Sequence, residues 1–330
     1  MRVLFVTAMH PTPGRPNQGV VIQRLARGLR EVGHLVTEFE IGEGSPWRYL
    51  RERGRVRQVV RKFRPDVLHV HFGYGILAVP RLPVPIVTSF VGDDLYGTRN
   101  GRSGITLKSR LGILFSQYAA YRSSRCVVVS DPMRGRLWLR SAQARARVVR
   151  DAVDPRLFRP LPQVEARRRL GLELGAKLVL FPHDISQPNK RLSLAQNAVD
   201  IVREIDPSVR LWIVNDRPAD DMPWYYAAAD VMIITSVTEG GPSSAKEALA
   251  CGLPVVSVPV GDVQMFAEAG DVMIRSEPTP EELAACLRRA LAEPEMPRHS
   301  HLPSSLRIDQ AVRVLESVYR EALSPEAKVP

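Results

Sequence analysis

The stretch "VMIITSVTEGGPSSAKEALACGLPVVSV", residues 231–258, decides the fold. Val231–Ser236 is a short apolar run that reads as a buried strand. Pro242–Ala250 reads as a helix with proline in its first turn and Gly252 just past its end, and Pro254–Val258 reads as the next strand. Nearly continuous apolar strands joined by a helix belong to a parallel sheet covered on both faces. Gly240 and Gly241 then sit in a strand-to-helix turn at the carboxyl edge of that sheet, where such folds bind ligands. Glycine lets the backbone approach a ligand closely, and a helix start offers free N–H groups and partial positive charge to a phosphate. Glu239 precedes the turn and Glu247 lies on the helix behind it. One phosphate position flanked by two hydroxyl-binding carboxylates describes a sugar nucleotide.

The same alternation extends in both directions. Apolar runs recur at Val3–Thr7, Leu35–Phe39, Val67–Val70, Ile86–Ser89 and Cys126–Val129, and again at Leu178–Phe181 and Leu211–Val214. Helical periodicity separates them, as in Val21, Leu25 and Leu29 closed by Gly33. The pattern restarts near residue 176, after "DAVDPRLFRPLP" (151–162), whose three prolines and lack of period mark a linker. A chain of 330 residues exceeds what one core usually holds. The reading is α/β: two Rossmann-like doubly wound parallel-sheet domains facing across a cleft. Residues 1–155 form one and 156–330 the other, with the last helix, about 308–323, reaching back toward the first and a frayed tail after it.

Composition narrows the setting. The three cysteines, 126, 251 and 286, lack metal-ligand spacing, and their odd number speaks against a disulfide framework. The opening MRVLFVTAMHP is too short for a signal or spanning segment, and no later run reaches a membrane-spanning length. We expect a cytoplasmic protein, working at the inner face of a membrane if its acceptor is lipid-linked. The net charge of +11 is divided unevenly. Residues 1–160 carry 28 Lys/Arg against 11 Asp/Glu, whereas 161–330 carry 18 against 24. The first half is therefore expected to meet something anionic. "RYLRERGRVRQVVRKFR" (48–64) mixes eight basic residues with an apolar face broken by Gly54. It reads as the helix joining the second and third strands, as a face for anionic lipid, or as both.

Beyond these local readings, Glu239-Gly-Gly-Pro followed four residues later by Glu247-Ala-Leu-Ala-Cys-Gly-Leu-Pro-Val-Val resembles the E-x7-E signature of the retaining GT-B glycosyltransferases of family 4. The likeness runs in order through most of the chain: residues 1–36, "FRPDVLHVHFGYG", "PIVTSFVGDDLYGT", "VDPRLFRP" and "FPHDISQPNKRLSLA". It is nearest to the bacterial cell-surface polysaccharide branch. The resemblance implies transfer of a sugar from a nucleotide diphosphate, UDP favoured, to a hydroxyl acceptor with retained anomeric configuration and no metal. By it, Glu247 holds the ribose hydroxyls and Glu239 the donor sugar. Gly240, Gly241, Pro242 and Ser243 line the diphosphate, Lys190 and Arg191 neutralise it, and Gly19 lets the first loop come close. His71, Asp93 and Asp94 fall on the acceptor side, with His71, Lys190 and Glu239 as the catalytic set.

Some positions depart from the family pattern: Gln187 where arginine is common, Val91 where histidine is, and Asp151-Ala152-Val153-Asp154 for Asn-Gly-Val-Asp. A catalytically silent sugar-nucleotide binder is the alternative they suggest, and a glycosyltransferase acting on DNA is another. With few aromatics among the arginines, no nucleic-acid partner is expected. The Glu–Lys–Glu set at 239, 246 and 247 can also be read as helix-surface charge, and Asp93–Asp94 as a turn or cap. Of His69 and His71 we expect one on each face of their strand. "DRPADD" (216–221) reads as a solvated loop.

Overall fold

The computed structural model describes residues 1–12, 18–42, 47–97, 106–215, 217–267, 272–274, 278–292 and 298–324. Two compact units emerge. One holds Met1–Thr12, Gln18–Asp151 and the chain from Ile308; the other holds Ala152–Arg307.

In the first unit, β1 (Arg2–Thr7), β2 (Leu35–Glu40), β3 (Val67–His71), β4 (Ile86–Phe90), β5 (Arg125–Val128) and β6 (Ala146–Val148) form one sheet in the order β2-β1-β3-β4-β5-β6. In the second, β7 (Lys177–Phe181), β8 (Val209–Ile213), β9 (Val231–Ile234), β10 (Val255–Ser257) and β11 (Val272–Ile274) run β11-β10-β9-β7-β8. Every described pairing is parallel. Counted from their own first strands, both sheets begin second-first-third, so the winding reverses at the first strand. The crevice of each sheet therefore opens at the carboxyl ends of its first and third strands: β1 and β3, and β7 and β9.

The strands are apolar on both faces because helices cover both. Leu4, Val6, Leu68, Val70 and Phe90 are buried in the first unit, as are Val179, Phe181, Met232, Ile234 and Val256 in the second. The expected runs match nine of the eleven strands among the described residues to within about two residues. The two they miss, β6 and β11, are three residues long and lie at sheet edges.

The helix Ser243–Ala250 begins one residue later than expected. Pro242, with φ −68° and ψ 102°, is its cap rather than its first turn, since an extended ψ cannot start the helical ladder. The 48–64 segment is two helices, Arg48–Arg51 and Arg53–Phe63, ended by Arg64 in the left-handed region at φ +50°. Tyr49, Val56 and Val60 are buried, with Val59 and Phe63 packed partly against the same core. Its outward face is left almost wholly cationic.

The helix Ile308–Leu323 belongs to the first unit. It buries Ile308, Ala311, Val312, Leu315, Val318 and Tyr319 at helical spacing. A side chain at Gly28, on the helix Val20–Glu31, would put its Cβ 2.7 Å from Val312, so glycine there lets the two helices close. His34 bonds Glu316 at 2.8 Å, and Arg125 bonds Glu321 at 3.0 Å. Residues 325–330, expected to fray, lie outside the described residues.

Candidate functional site

The loops at the crevice of the second sheet carry most of the residues expected on the donor side. After β7, a single helical turn at Pro188–Lys190 presents Lys190; after β9, the chain runs through Glu239 into the helix Ser243–Ala250. Lys190 Nζ donates to Glu239 Oε1 at 2.5 Å, both side chains being largely shielded from water. The two loops are further joined by Asn189, which donates to the Thr238 carbonyl at 2.9 Å, and by the Thr235 hydroxyl, which donates to the Lys190 carbonyl at 2.7 Å. Arg191 stands in the left-handed region at φ +48°. Its guanidinium donates to the main-chain carbonyls of Thr235, at 2.5 Å, and Ser236, at 3.3 Å. It braces the loop that carries Glu239.

Glu247, in the second turn of its helix, accepts from the Tyr226 hydroxyl at 2.8 Å and is buried. Tyr226 was not visible as a site residue in the sequence, because nothing in "PWYYAAAD" distinguishes its hydroxyl from a core tyrosine's. Lys246, read above as possible helix-surface charge, is instead fully buried and paired with Asp262 at 2.9 Å. A short tight helix with Ala245, Ala248 and Ala250 also buried has no solvent face on that side. A Cβ on Gly241 would lie 3.1 Å from Lys246 Nζ and 3.2 Å from Asp262 Oδ1. Gly261, at φ +57°, packs under Gly240, Gly241 and Pro242. The glycine turn thus rests on a buried ion pair. Ser243 opens the helix beside it, half-buried.

Two polar atoms at this crevice, His183 Nε2 after β7 and Ser236 Oγ after β9, are buried without a hydrogen bond among the described residues. Buried polar atoms are ordinarily paired, so such orphans point to a ligand position. Burial holds the His183 imidazole well below its ordinary pKa, with Lys190 adding to the effect, so it is neutral. Gln187 is exposed and donates to Asp184 at 3.2 Å. Among the described residues no group of three or more His, Cys, Asp or Glu could hold a metal ion. In "DRPADD", Asp220 and Asp221 are exposed and Asp216 lies outside the described residues.

In the first unit, Gly19 caps the helix Val20–Glu31 at φ +75°, and a Cβ there would meet the Met9 carbonyl at 2.1 Å. Only glycine fits. His69 and His71 do not face opposite sides. Residues two apart on a strand share a face, and their rings lie 4.0 Å apart. His69 is bonded through Nδ1 to the Tyr319 hydroxyl at 2.6 Å and through Nε2 to Ser89 at 2.7 Å. The His71 ring lies 4.4 Å from Phe5, and its Nε2 is buried with no hydrogen bond among the described residues. Burial and then the nearby His10 lower the His71 pKa to about 3. Asp94 is fully buried and accepts from the backbone N–H groups of Gly73, Val91 and Gly92 at 3.0–3.1 Å. It ties the loops after β3 and β4 together, while Asp93 beside it is exposed. Burial raises the Asp94 carboxyl to about 6 against the pull of those N–H groups.

A pH dependence follows. His69, His71 and His183 are neutral when folded and ordinary histidines when unfolded, so the unfolded chain binds more protons below pH 6.5. Their contribution is complete above that pH and is lost progressively toward pH 3, at about 1.4 kcal/mol per group per pH unit. Between about pH 4 and 6 Asp94 acts in the opposite sense, since its folded pKa is raised, but it is one group against three. The thermal midpoint is expected to fall steadily as pH is lowered from 6.5 to 4.5; a flat profile would contradict the neutral buried assignment.

Comparison with known proteins agrees with this architecture. The Glycosyltransferase Family 4 model matches residues 18–157, and the model described as Glycosyl transferases group 1 matches residues 196–301. A D-inositol 3-phosphate glycosyltransferase of Thermomonospora curvata is 29% identical over 69% of this chain and 64% of its own length. That of Mycolicibacterium gilvum is 26% identical over 62% and 53%. The chain thus spans somewhat less than two thirds of the length of these relatives. Among solved structures, sucrose-phosphate synthase from Thermosynechococcus elongatus superposes with a TM-score of 0.78 at 16% identity, over 97% of this chain and 98% of that one. Anabaena HepE, in complex with UDP and glucose, superposes at 0.71 and 16% identity, over 97% and 99%. Two doubly wound sheets of one winding order give this chain the GT-B architecture, with the Glycosyltransferase Family 4 match falling on the first unit and the Glycosyl transferases group 1 match on the second.

Proposed function

We propose that the chain transfers a sugar from a nucleotide-diphosphate sugar, UDP favoured, to a hydroxyl acceptor with retention of anomeric configuration, in polysaccharide or glycoconjugate synthesis. The observation that carries this reading is the Lys190–Glu239 pair at the crevice of the second sheet, beside the glycine turn and with Glu247 on the helix that follows it. A cation held at a loop tip by a carboxylate is placed to trade part of that contact for a diphosphate as negative charge grows there. The helix start at Ser243 offers its N–H groups to the same phosphates. Glu247, oriented by Tyr226, accepts from the ribose hydroxyls, and Glu239 from the donor sugar. His183 and Ser236 supply further polar atoms.

In the reaction the acceptor oxygen bonds to the anomeric carbon from the face that the diphosphate leaves. The carbon–oxygen bond to phosphate breaks, its electron pair stays on the diphosphate, and the acceptor proton passes to the departing phosphate oxygen. His71, neutral and with Nε2 unbonded, is suited to accept or donate one hydrogen bond to a sugar hydroxyl without adding charge. The basic first unit suits an anionic or lipid-linked acceptor, and relatives named for inositol 3-phosphate are in keeping with an acceptor that carries phosphate.

The test is a panel of UDP-, GDP- and dTDP-sugars followed by thermal shift and by donor turnover. Stabilisation by one nucleotide family together with sugar release or transfer is expected. Glu247→Ala removes a charged hydrogen-bond acceptor and is expected to weaken nucleotide affinity by about ten- to a hundredfold. Binding without turnover by any donor–acceptor pair would favour the silent binder, and salt-dependent retardation of duplex DNA would favour the DNA-directed enzyme. No response to any nucleotide at millimolar concentration would end the proposal.

A further inference from the structure

The helix Leu107–Arg122 of the first unit is inside out. Its buried face is Ser109, Gly112, Ser116, Gln117, Ala119 and Ala120, all small or polar. The small residues have a packing reason: a Cβ on Gly112 would overlap the Tyr74 hydroxyl, and one on Gly73 would overlap Ser116, so helix and loop are in backbone-level contact. No such reason accounts for the outer face. There Leu107, Leu111, Leu114, Phe115, Tyr118 and Tyr121 are all exposed, Leu107 by 75%. At 3.6 residues per turn these six fall within an arc of about 120°. Single exposed apolar residues are ordinary, but a continuous stripe of six along four turns marks a surface that is covered in use.

Charge identifies the cover. Lys108 and Arg110, both exposed, flank the stripe on its two sides. From Leu95 to Ser130 the chain has six Lys/Arg and no Asp or Glu. Along the edge at Gln117, whose side chain bonds the Arg136 carbonyl and the Trp138 N–H, the segment after β5 adds a 62% exposed indole and the exposed Arg134, Arg136 and Arg140. Two copies of such a face would bring like charges together, which disfavours self-association. Apolar and aromatic side chains rimmed by cations are complementary to a bilayer with acidic headgroups, the apolar groups entering the acyl boundary and the cations meeting phosphate.

We propose that the outer face of Leu107–Arg122, with Trp138 at its edge, docks this protein on an anionic membrane surface. The stripe starts at the carboxyl edge of the first sheet, the edge that carries His71, so docking sets that edge close to the headgroups. The cationic helix Arg53–Phe63, whose apolar residues are in the core, adds attraction without insertion. This inference rests on the surface of the first unit alone and does not depend on the donor assignment.

The experiment is co-sedimentation of the full chain with vesicles of phosphatidylcholine alone and of phosphatidylcholine with about one third phosphatidylglycerol, with Trp138→Phe as a fluorescence control. Binding to the anionic vesicles only is expected. The triple variant Leu111→Gln, Leu114→Gln, Phe115→Gln, whose sites are solvent-facing, should keep its thermal midpoint and lose at least about tenfold in partitioning. Absence of binding, equal binding to neutral vesicles, or undiminished binding of the triple variant overturns the proposal. So does a dimer in solution that the triple variant dissolves, which would make the stripe a subunit interface. Nucleotide response is measured separately, so failure of docking and failure of the proposed activity are told apart.

Discussion

Lys190→Ala is expected to lower kcat for sugar transfer by about a hundred- to a thousandfold while changing donor KM little, the scale seen when one preorganised group facing developing charge is removed. The reason lies in where the charge appears. With no donor bound, the Lys190 ammonium is satisfied by Glu239 at 2.5 Å. In the proposed reaction, negative charge would accumulate on the diphosphate as its bond breaks, and an ammonium beside it would gain an interaction that grows toward the transition state. Lys190→Arg keeps the charge but changes its reach and should recover part of the loss. Glu239→Gln should be less damaging to leaving-group departure than Lys190→Ala, and the double variant should not be additive, because the two side chains form one unit. A single-turnover rate for Lys190→Ala within about threefold of the parent would remove this residue from the chemistry.

The second large effect concerns stability. Lys246→Met is expected to destabilise the second unit by about 3–5 kcal/mol, or roughly 10 °C in its thermal midpoint, because it leaves the Asp262 carboxylate buried without its ammonium. Restoring charge balance with Lys246→Met and Asp262→Leu together should recover most of the loss, since a well-packed apolar pair is often as stable as a buried ion pair. Nucleotide affinity separates structure from function here. The pair lies directly under Gly241, so the double variant is expected to fold yet bind nucleotide several-fold more weakly, through a loosened turn. An unshifted midpoint for Lys246→Met would mean that the two groups are not a buried pair in solution.

Nine of the eleven described strands, the repeat of the winding and the glycine turn before Ser243 were legible in the residues alone, because a buried parallel strand needs an unbroken apolar run and a helix start needs its punctuation. The E-x7-E spacing likewise places Glu239 before a turn and Glu247 about one turn into a helix wherever a strand precedes it. Sequence therefore determined the fold class and which loops reach the crevice. What it could not determine was the direction in which individual polar side chains turn. Lys246 and Glu247 are neighbours in a chain of like-looking charges, yet one is sealed against Asp262 and the other meets Tyr226. His69 is held by a tyrosine 250 residues away. The six large apolar residues of Leu107–Arg122 lie on its exposed face, while small and polar residues fill the buried one. Each of these depends on partners distant in the chain, and periodicity reports only whether an element has an apolar face; which face is buried, and against what, is decided when the elements close on one another.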